Sequence, residues 1–226
     1  MLSGEGPPVV KISIIVPVHN EERSIDGFIG SLLHSGLAEY TQFEVIFVDD
    51  ASTDDSLSLL KEWQRESPRI KVYANSSQRG PSGARNTGLE HAEGNTIVFI
   101  DCDCIVEQNW LGTVEKIAGQ LAASGLAGVG GAILPLFNPD SIFQKVVARF
   151  PMHRPRVDDR GNFIDLPSGN VVFQRKVLDE INAFNDRLFF GEDSDLCHRI
   201  IQKGYLLSFT RELKIYHQVP EKLTRL

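Results

Sequence analysis

Two aspartates, Asp101 and Asp103, stand one residue apart directly after the apolar run TIVFI at positions 96–100. Consecutive apolar residues of this kind are typical of a strand buried on both faces of a parallel sheet. Acids at the carboxyl end of such a strand lie at the crevice where open α/β sheets bind ligands. Carboxylate oxygens suit Mg²⁺ or Mn²⁺, which commonly share a site with substrate phosphates. The pair therefore predicts a divalent-metal site, and the alternative is that both acids cap the next helix.

Further acids stand at comparable positions, after an apolar run at 43–48 and at the start of a predicted helix at 191–203. These acids are Asp49, Asp50, Glu192, Asp193 and Asp195. Because the carboxyl ends of parallel strands share one edge, the pair at 49–50 should meet the pair at 101 and 103. Acids that face one crevice repel each other unless a cation or a donor-rich ligand lies between them.

A glycine-rich segment at 78–88, QRGPSGARNTG, carries Arg79 and Arg85. Glycines permit close backbone approach, and an arginine at a helix start could meet a phosphate. A solvated loop with a surface arginine is the alternative. The segment is not a Walker P-loop because it lacks GK[ST], and no G-x-G-x-x-G follows the first predicted strand.

His217 closes the last predicted strand. A lone histidine is more often structural than a ligand, but in a chain with a metal-binding acid it is a reasonable nitrogen ligand for Mn²⁺. The three cysteines form no CxxC pair, so a disulfide framework or a zinc site is not expected, and a reducing cytoplasm is the default location. They are Cys102, Cys104 and Cys197.

The elements that must position these residues alternate between strands and helices, which indicates an α/β fold with a mostly parallel sheet. Pro17 should end the pairing of the first strand. Strands are predicted at 11–18, 43–48, 70–73, 96–100, 128–134, 163–166, 171–174, 205–210 and 213–217. One helix is predicted from 25 to a stop at Gly36, one is opened by 52–55 with Leu57, Leu60 and Trp63 on one face, and the segment 78–88 is a loop that passes into a third. Further helices are predicted at 107–122, 139–150, 175–181 and 191–203, with a mobile charged loop at 152–161.

Bulk composition excludes some classes of protein. The 226 residues are 42% apolar and 23% charged, as in an ordinary globular domain. The formal net charge of -7 argues against a general nucleic-acid binder. The uncharged stretch between Lys116 and Asp140 is too weakly apolar for a bilayer helix, and we interpret it as a helix end, a turn and a strand. Residues 1–10 lack the pattern of a signal peptide, and we expect them to form a loose leader.

Taken together, the motifs resemble the family 2 glycosyltransferases, which have the Rossmann-like GT-A fold. Six segments carry the resemblance, in the family's order: IIVPVHNEE (14–22), VDDASTDDS (48–56), GPSGARNTGL (80–89), FIDCDC (99–104), PSGN (167–170) and GEDSDLCHR (191–199). The resemblance implies one domain over 1–226, with a nucleotide-sugar half at 11–134, a small mixed acceptor half at 135–217 and the start of a truncated helix at 218–226.

The resemblance also implies roles for individual residues. Asp193 matches the catalytic base, Asp103 the metal ligand, and His217 a second metal ligand that some members have. The positions matched to the nucleotide sugar are Pro17, His19, Glu21, Asp50, Arg79, Arg85, Asp101 and Cys102. The positions matched to the acceptor side are Gly169, Asn170 and Glu192.

The implied activity is metal-dependent, inverting transfer of a sugar from a nucleotide-diphospho-sugar, most simply a UDP-sugar, to a hydroxyl of a glycan or lipid-linked acceptor. Asp193 should be ionised at pH 7, with a pKa raised by crowding from Glu192 and Asp195. The residues after 199 lack the Q-x-x-R-W motif of processive synthases, which favours transfer of one or few sugars. The alternatives are a sugar-phosphate nucleotidyltransferase and a non-catalytic nucleotide-binding domain.

The partners and location follow from the same resemblance. The expected cofactor is Mn²⁺ or Mg²⁺, and a location at the cytoplasmic face of a membrane would require segments beyond Leu226. The arginines of the charged loop suggest an anionic acceptor, and an ordinary solvated loop is the alternative. They are Arg154, Arg156 and Arg160.

Overall fold

A computed structural model describes residues 11–37, 40, 42–76, 79–148, 154–188 and 190–219. In these ranges the elements are β1 (Ile12–Val18), α1 (Ile25–His34), β2 (Phe43–Asp49), α2 (Ser56–Glu66), β3 (Ile70–Ala74), α3 (Gly80–His91), β4 (Thr96–Ile100), β5 (Cys104–Val106), α4 (Trp110–Ala123), β6 (Leu126–Leu136), α5 (Ile142–Val147), β7 (Arg156–Val157), β8 (Phe163–Asp165), β9 (Asn170–Gln174), α6 (Arg175–Glu180), α7 (Glu192–Gln202) and β10 (Leu206–Gln218).

One large, mainly parallel sheet organises the chain, with strand order β3-β2-β1-β4-β9-β6-β10-β5. The first four strands of that order are parallel to one another, and β6 is parallel to β10. β9 is antiparallel to both of its neighbours, β4 and β6. Its first residue therefore lies at the edge where the parallel strands end, because Asn170 pairs with Ile100.

The central strands are buried on both faces, as their apolar runs predict. Successive residues alternate between the two hydrophobic clusters: Ile14 belongs to one and Ile15 to the other. Helices α1, α2 and α4 cover the first face, and α3, α6 and α7 cover the second. The resulting layer arrangement leaves the carboxyl edge of the sheet open between the helix ends.

Pro17 does not end the pairing of β1 on both sides. Pairing with β4 stops at Ile15, but pairing with β2 continues through Pro17 to Val18. Proline lacks a backbone N–H donor. Strand pairing on the side that does not need this donor can therefore continue past the proline. The prediction was therefore correct on one side of the strand and wrong on the other.

The structure corrects three more predictions of secondary structure. The two strands expected at 205–210 and 213–217 are one strand, β10, with a register irregularity between Thr210 and Lys214. A short strand that was not predicted, β5, directly follows Asp103, so the two acids do not cap a helix; Asn109 is the N-cap residue of α4. Arg156–Val157 form β7 within the predicted mobile loop, and β7 pairs with β8, which confirms the strand predicted at 163–166.

Some predictions fall on positions outside the described residues. The leader at 1–10, part of the loop at 152–161 and residues 220–226 of the predicted terminal helix are among them. Gln218, the first residue of that predicted helix, is the last residue of β10. The division into a nucleotide-sugar half and an acceptor half stays a prediction.

Candidate active site

A cleft of about 420 Å³ opens at the carboxyl edge of β1, β2 and β4, between the first turns of α3 and α7. It brings together acids from segments that are far apart in the chain, as parallel strand ends should. The predicted site residues that line it are Pro17, His19, Glu21, Asp50, Arg85, Asp101, Cys102, Asp103 and Glu192. Most of the residues matched to the nucleotide sugar thus share one cavity.

Asp50 anchors the segment before α3 to the end of β2. Its buried carboxylate accepts hydrogen bonds from Asn75 Nδ2 (2.7 Å) and from the backbone N–H groups of Arg79 (2.9 Å) and Gly80 (2.8 Å). The carbonyl of Asp50 accepts a hydrogen bond from His19 Nδ1 at 2.9 Å. Asp49 beside it is buried and accepts from Ser52 N–H, so it supports the loop instead of lining the cleft.

The two arginines do not form a free basic edge at the start of α3. The Arg79 guanidinium donates to Thr87 Oγ1 and Asp186 Oδ2, each at 3.2 Å, and does not line the cleft. Arg85 is buried and donates to Asp101 Oδ1 at 2.8 Å and to Glu192 Oε1 at 3.4 Å. Arg85 therefore neutralises two cleft acids, and it is not the surface arginine of the alternative interpretation.

Gly169 and Asn170 lie side by side but serve different parts of the molecule. A Cβ on Gly169 would lie 2.6 Å from Asp101 Oδ2, so the backbone packs against this acid. The Asn170 amide donates to the carbonyls of Ala132 (3.2 Å) and Leu213 (3.0 Å) and accepts from Trp110 Nε1. The amide of Asn170 thus bonds within the sheet, and the assignment of this residue to the acceptor side stays a prediction.

Asp103, Cys104 and His217 form a cluster of metal-ligating groups beside the cleft, with one ligand atom from each within 4.8 Å of the others. His217 Nε2 lies 3.1 Å from Asp103 Oδ2. Burial lowers the pKa of His217, but the hydrogen bond to Asp103 and the charges of Asp103 and Asp101 outweigh burial and raise it. A carboxylate and an imidazole that converge in this way fit a divalent ion.

Asp193 lies in the first turn of α7, next to Glu192. Its Oδ2 accepts from the Ser168 N–H at 3.1 Å, and its buried Oδ1 has no hydrogen-bond partner among the residues that the structure describes. Burial raises the pKa of Asp193, and the charge of Glu192 adds to the rise, against the opposing effects of Arg85 and Ser168. The predicted direction is confirmed, but burial is the main cause, and Asp195 pairs with Arg199 instead.

The sequence comparison decides the family. A family model described as "Glycosyl transferase family 2" matches residues 13–182. The chain belongs to this family. The matched range contains the cleft residues from β1, β2 and β4 and ends before α7.

Relatives of this family 2 chain are longer than the chain itself. The "GalNAc(5)-diNAcBac-PP-undecaprenol beta-1,3-glucosyltransferase" of Campylobacter jejuni is 33% identical over 213 residues, which are 92% of this chain and 66% of that protein. "Glycosyltransferase AglE" of Haloferax volcanii is 24% identical over 203 residues, 89% of this chain and 65% of that protein. The chain thus spans slightly less than two thirds of these curated relatives.

Solved structures show that the family 2 chain has the GT-A fold. The mannosyltransferase PcManGT from Pyrobaculum calidifontis, in complex with GDP-Man and Mn²⁺, superposes with a TM-score of 0.73 at 23% identity, covering 95% of this chain and 58% of that one. TarS of S. aureus in complex with UDP-GlcNAc gives 0.69 at 21% identity, covering 94% and 60%.

Sequence reasoning about the family 2 chain missed three groups at the site. Cys104 joins the metal-ligating cluster only because β5 pairs with β10, and Asn75 reaches Asp50 from the end of β3. Ser168 lies in the quoted PSGN segment but contributes its backbone N–H, which carries no sequence signal. The position of Cys104 directly after Asp103 was the one visible hint.

All three cysteines of the family 2 chain are buried. Burial raises the pKa of the Cys102 and Cys104 thiols well above their usual range, and it raises that of Cys197 to about 12. The three thiols are therefore protonated at neutral pH in the metal-free chain and unsuited to nucleophilic attack. In the described part of the chain, no helix is both long and apolar enough to cross a membrane.

Proposed function

We propose that this family 2 chain transfers a sugar from a nucleoside-diphosphate sugar to a hydroxyl group, with inversion at the anomeric carbon. One observation carries the proposal: Arg85 links Asp101, at the end of β4, to Glu192, beside the half-buried Asp193 in α7. Asp101 and Glu192, the sequence neighbour of the candidate base, both line the cleft, which supports this assignment. The GDP-Man bound to PcManGT and the UDP-GlcNAc bound to TarS support a donor of this class, and we propose UDP as the nucleotide.

We assign the binding of the nucleoside to four residues on the donor side of the cleft: Pro17, His19, Glu21 and Asp50. Asp50 already accepts three hydrogen bonds, so a nucleobase N–H would share one of its oxygens. Asp101, held by Arg85, is assigned to the ribose side.

Asp103 and His217 are the residues that would hold Mn²⁺ or Mg²⁺. When bound, such an ion acts as a Lewis acid that offsets the negative charge of the leaving diphosphate. The contact between Asp103 Oδ2 and His217 Nε2 orients both side chains toward the same point beside the cleft. This orientation limits the rearrangement that binding a metal would require.

Asp193 is assigned as the general base. Its Oδ1 is free of hydrogen bonds within the described structure and accepts the proton of the acceptor hydroxyl as that oxygen attacks C1. The Ser168 N–H holds the other oxygen and thereby sets the direction in which Oδ1 points. Attack opposite the leaving diphosphate inverts the sugar carbon, and no covalent bond to the protein forms.

The acceptor is assigned by chemical class only. The Campylobacter jejuni relative is named for a polyprenyl-diphosphate-linked glycan, which supports a glycan or lipid-linked acceptor for this chain. We further propose transfer of one or few sugars, a cytoplasmic location, and membrane association through segments beyond Leu226. These proposals concern the whole protein, of which the described residues form a part.

The test is a thermal-shift screen of UDP- and GDP-sugars with Mn²⁺, followed by an assay for released nucleoside diphosphate. A donor that binds only the native state raises the melting temperature by mass action. We expect at least one UDP-sugar to stabilise the protein and to be hydrolysed slowly without acceptor. Stabilisation without hydrolysis or transfer across the panel would support the non-catalytic alternative, and pyrophosphate release from UTP and a sugar 1-phosphate would support a nucleotidyltransferase.

A further inference from the structure

Cys104 approaches the same point as Asp103 and His217. β5 pairs with β10 in antiparallel register, and Cys104 lies directly opposite His217, so both side chains leave the same face of the strand pair. The Cys104 sulfur, the His217 nitrogen and a carboxylate oxygen of Asp103 all lie within 4.8 Å of one another. We propose that Cys104 is a third protein ligand, which makes this cluster a binding site for Zn²⁺.

The distances fit a tetrahedral ion. Zinc bonds of about 2.3 Å to sulfur and about 2.0–2.2 Å to nitrogen or oxygen separate neighbouring ligand atoms by roughly 3.4–3.6 Å in a tetrahedron. Cys104 Sγ lies 3.7 Å from Asp103 Oδ1, and His217 Nε2 lies 3.1 Å from Asp103 Oδ2. These two distances involve different oxygens of Asp103, and no two ligand atoms of the cluster are more than 4.8 Å apart, so movements of up to about 1 Å would bring the three groups to these separations.

The donor set determines which metal the site prefers. Thiolate and imidazole favour Zn²⁺, whereas Mg²⁺ and Mn²⁺ prefer oxygen ligands. Binding replaces the sulfur–hydrogen bond of Cys104 with a sulfur–zinc bond, and the released proton passes to solvent. A hydroxyl in place of the thiol would leave the oxygen and nitrogen ligands of Mn²⁺ intact and remove the ligand that selects zinc.

A consequence follows for nucleotide binding, and this step rests on the proposed function. Three protein ligands leave a four-coordinate Zn²⁺ one open position. A diphosphate that chelated a metal through two oxygens would need two open positions, and an octahedral Mn²⁺ held only by Asp103 and His217 would offer them. Zinc bound through Cys104 should therefore weaken the binding of a nucleoside diphosphate that Mn²⁺ supports.

The first experiment titrates the whole metal-free chain with Co²⁺, a spectroscopic substitute for Zn²⁺. We expect a near-ultraviolet thiolate-to-cobalt charge-transfer band that one equivalent of Zn²⁺ removes. The Cys104→Ser variant should lose this band. The Cys197→Ser variant should keep it, because Cys197 is a buried thiol outside the cluster whose contacts with the backbone of Leu166 a serine hydroxyl can also make.

The second experiment measures metal affinities by isothermal titration calorimetry. Because loss of an outer-shell partner alone costs about 10–100-fold in affinity, Cys104→Ser should lower Zn²⁺ affinity by more than about 100-fold. The same variant should bind Mn²⁺ within about threefold of the wild type, since sulfur is not a preferred manganese ligand. Retained Mn²⁺ binding also shows that the variant is folded at the site.

Four results would overturn the inference. The wild type could bind Mn²⁺ but give no thiolate band with Co²⁺, which would leave the proposed metal-dependent transfer intact. The band could survive in Cys104→Ser, or that variant could lose Zn²⁺ and Mn²⁺ affinity equally, either of which removes Cys104 as a selective ligand. A wild type that binds neither metal would overturn both this inference and the metal site of the proposed function.

Discussion

Arg85 Nη2 donates to Asp101 Oδ1 across 2.8 Å, and this ion pair lies where the end of β4 meets the cleft. The second terminal nitrogen of Arg85 reaches Glu192 at the start of α7. The Arg85 side chain is 4% exposed, and its Nε has no hydrogen-bond partner in the described part of the chain. One buried cation therefore offsets two acids from different elements and fixes how α7 meets the sheet edge.

Replacing Arg85 with alanine should destabilise the fold by about 2–5 kcal/mol, because removing one partner leaves partly buried acids without a counter-charge. Arg79→Ala is the matched control. Its ion pair with Asp186 is 41% and 46% exposed, and exposed pairs contribute about 0–1 kcal/mol. Urea denaturation of both variants measures the difference. Equal losses would show that the Arg85 pairs are not structural.

Replacing Asp193 with asparagine should abolish most turnover and stabilise the fold. Burial raises the folded-state pKa of Asp193 above its ordinary value of 3.8, so stability is lost as the pH rises above that ordinary value, and the loss is complete above the raised value. The asparagine carbonyl can still accept from the Ser168 N–H. Turnover should fall by about 10²–10⁴-fold, the usual contribution of a general base.

The pH dependence checks the cause of this stabilisation. The melting-temperature gain of Asp193→Asn over the wild type should be largest at neutral pH and vanish below about pH 4, where the carboxyl is protonated in both the folded and the unfolded state. Asp195→Asn is the control, because Asp195 pairs with Arg199 on the same helix. A gain that is independent of pH would argue against a buried ionised carboxylate.

Replacing Asp103 with alanine should abolish the stabilisation by UDP and Mn²⁺ that the wild type shows. At a ligand concentration of about 100 times Kd, mass action contributes about 2.7 kcal/mol, which corresponds to roughly 5–10 °C in Tm for a chain of this size. Asp193→Asn should keep that shift while losing turnover. If Asp103→Ala keeps the full shift, Asp103 does not hold the metal that carries the nucleotide.

Replacing Gly169 with alanine should impair activity more than stability. The new Cβ would lie 2.6 Å from Asp101 Oδ2, closer than real Cβ contacts allow, and the Asp101 side chain can turn away to relieve it. Because that movement disturbs the pair with Arg85, we expect more than a tenfold loss of turnover with less than about 1 kcal/mol of destabilisation.

Gly119→Ala provides the matched control for this substitution. It lies on the exposed face of α4 with no atom within 4 Å of the new Cβ, and it should gain roughly 0.5–1 kcal/mol because alanine is the better helix former. Normal turnover in Gly169→Ala would mean that Asp101 tolerates displacement.

The sequence by itself determined the central strands and the acids at their ends. Apolar runs such as 96–100 can only be buried on both faces, and a parallel sheet then places Asp50, Asp101 and Asp103 at one edge. The motif order also identified the family, which the match over 13–182 confirms. The strands and the acids at their ends are local features or follow from one topological rule, so composition and periodicity are sufficient to predict them, whereas the family came from the resemblance of six motifs to a known family.

Only the tertiary structure decided how distant segments meet. Because β9 lies between β4 and β6, the Asn170 amide forms its hydrogen bonds inside the sheet. The register of β10 places His217 opposite Cys104. Arg85 turns inward because Asp101 and Glu192 converge on it, which its own sequence neighbours do not specify. Strand register and the choice of side-chain partners depend on contacts between residues far apart in the chain, so local periodicity does not predict them.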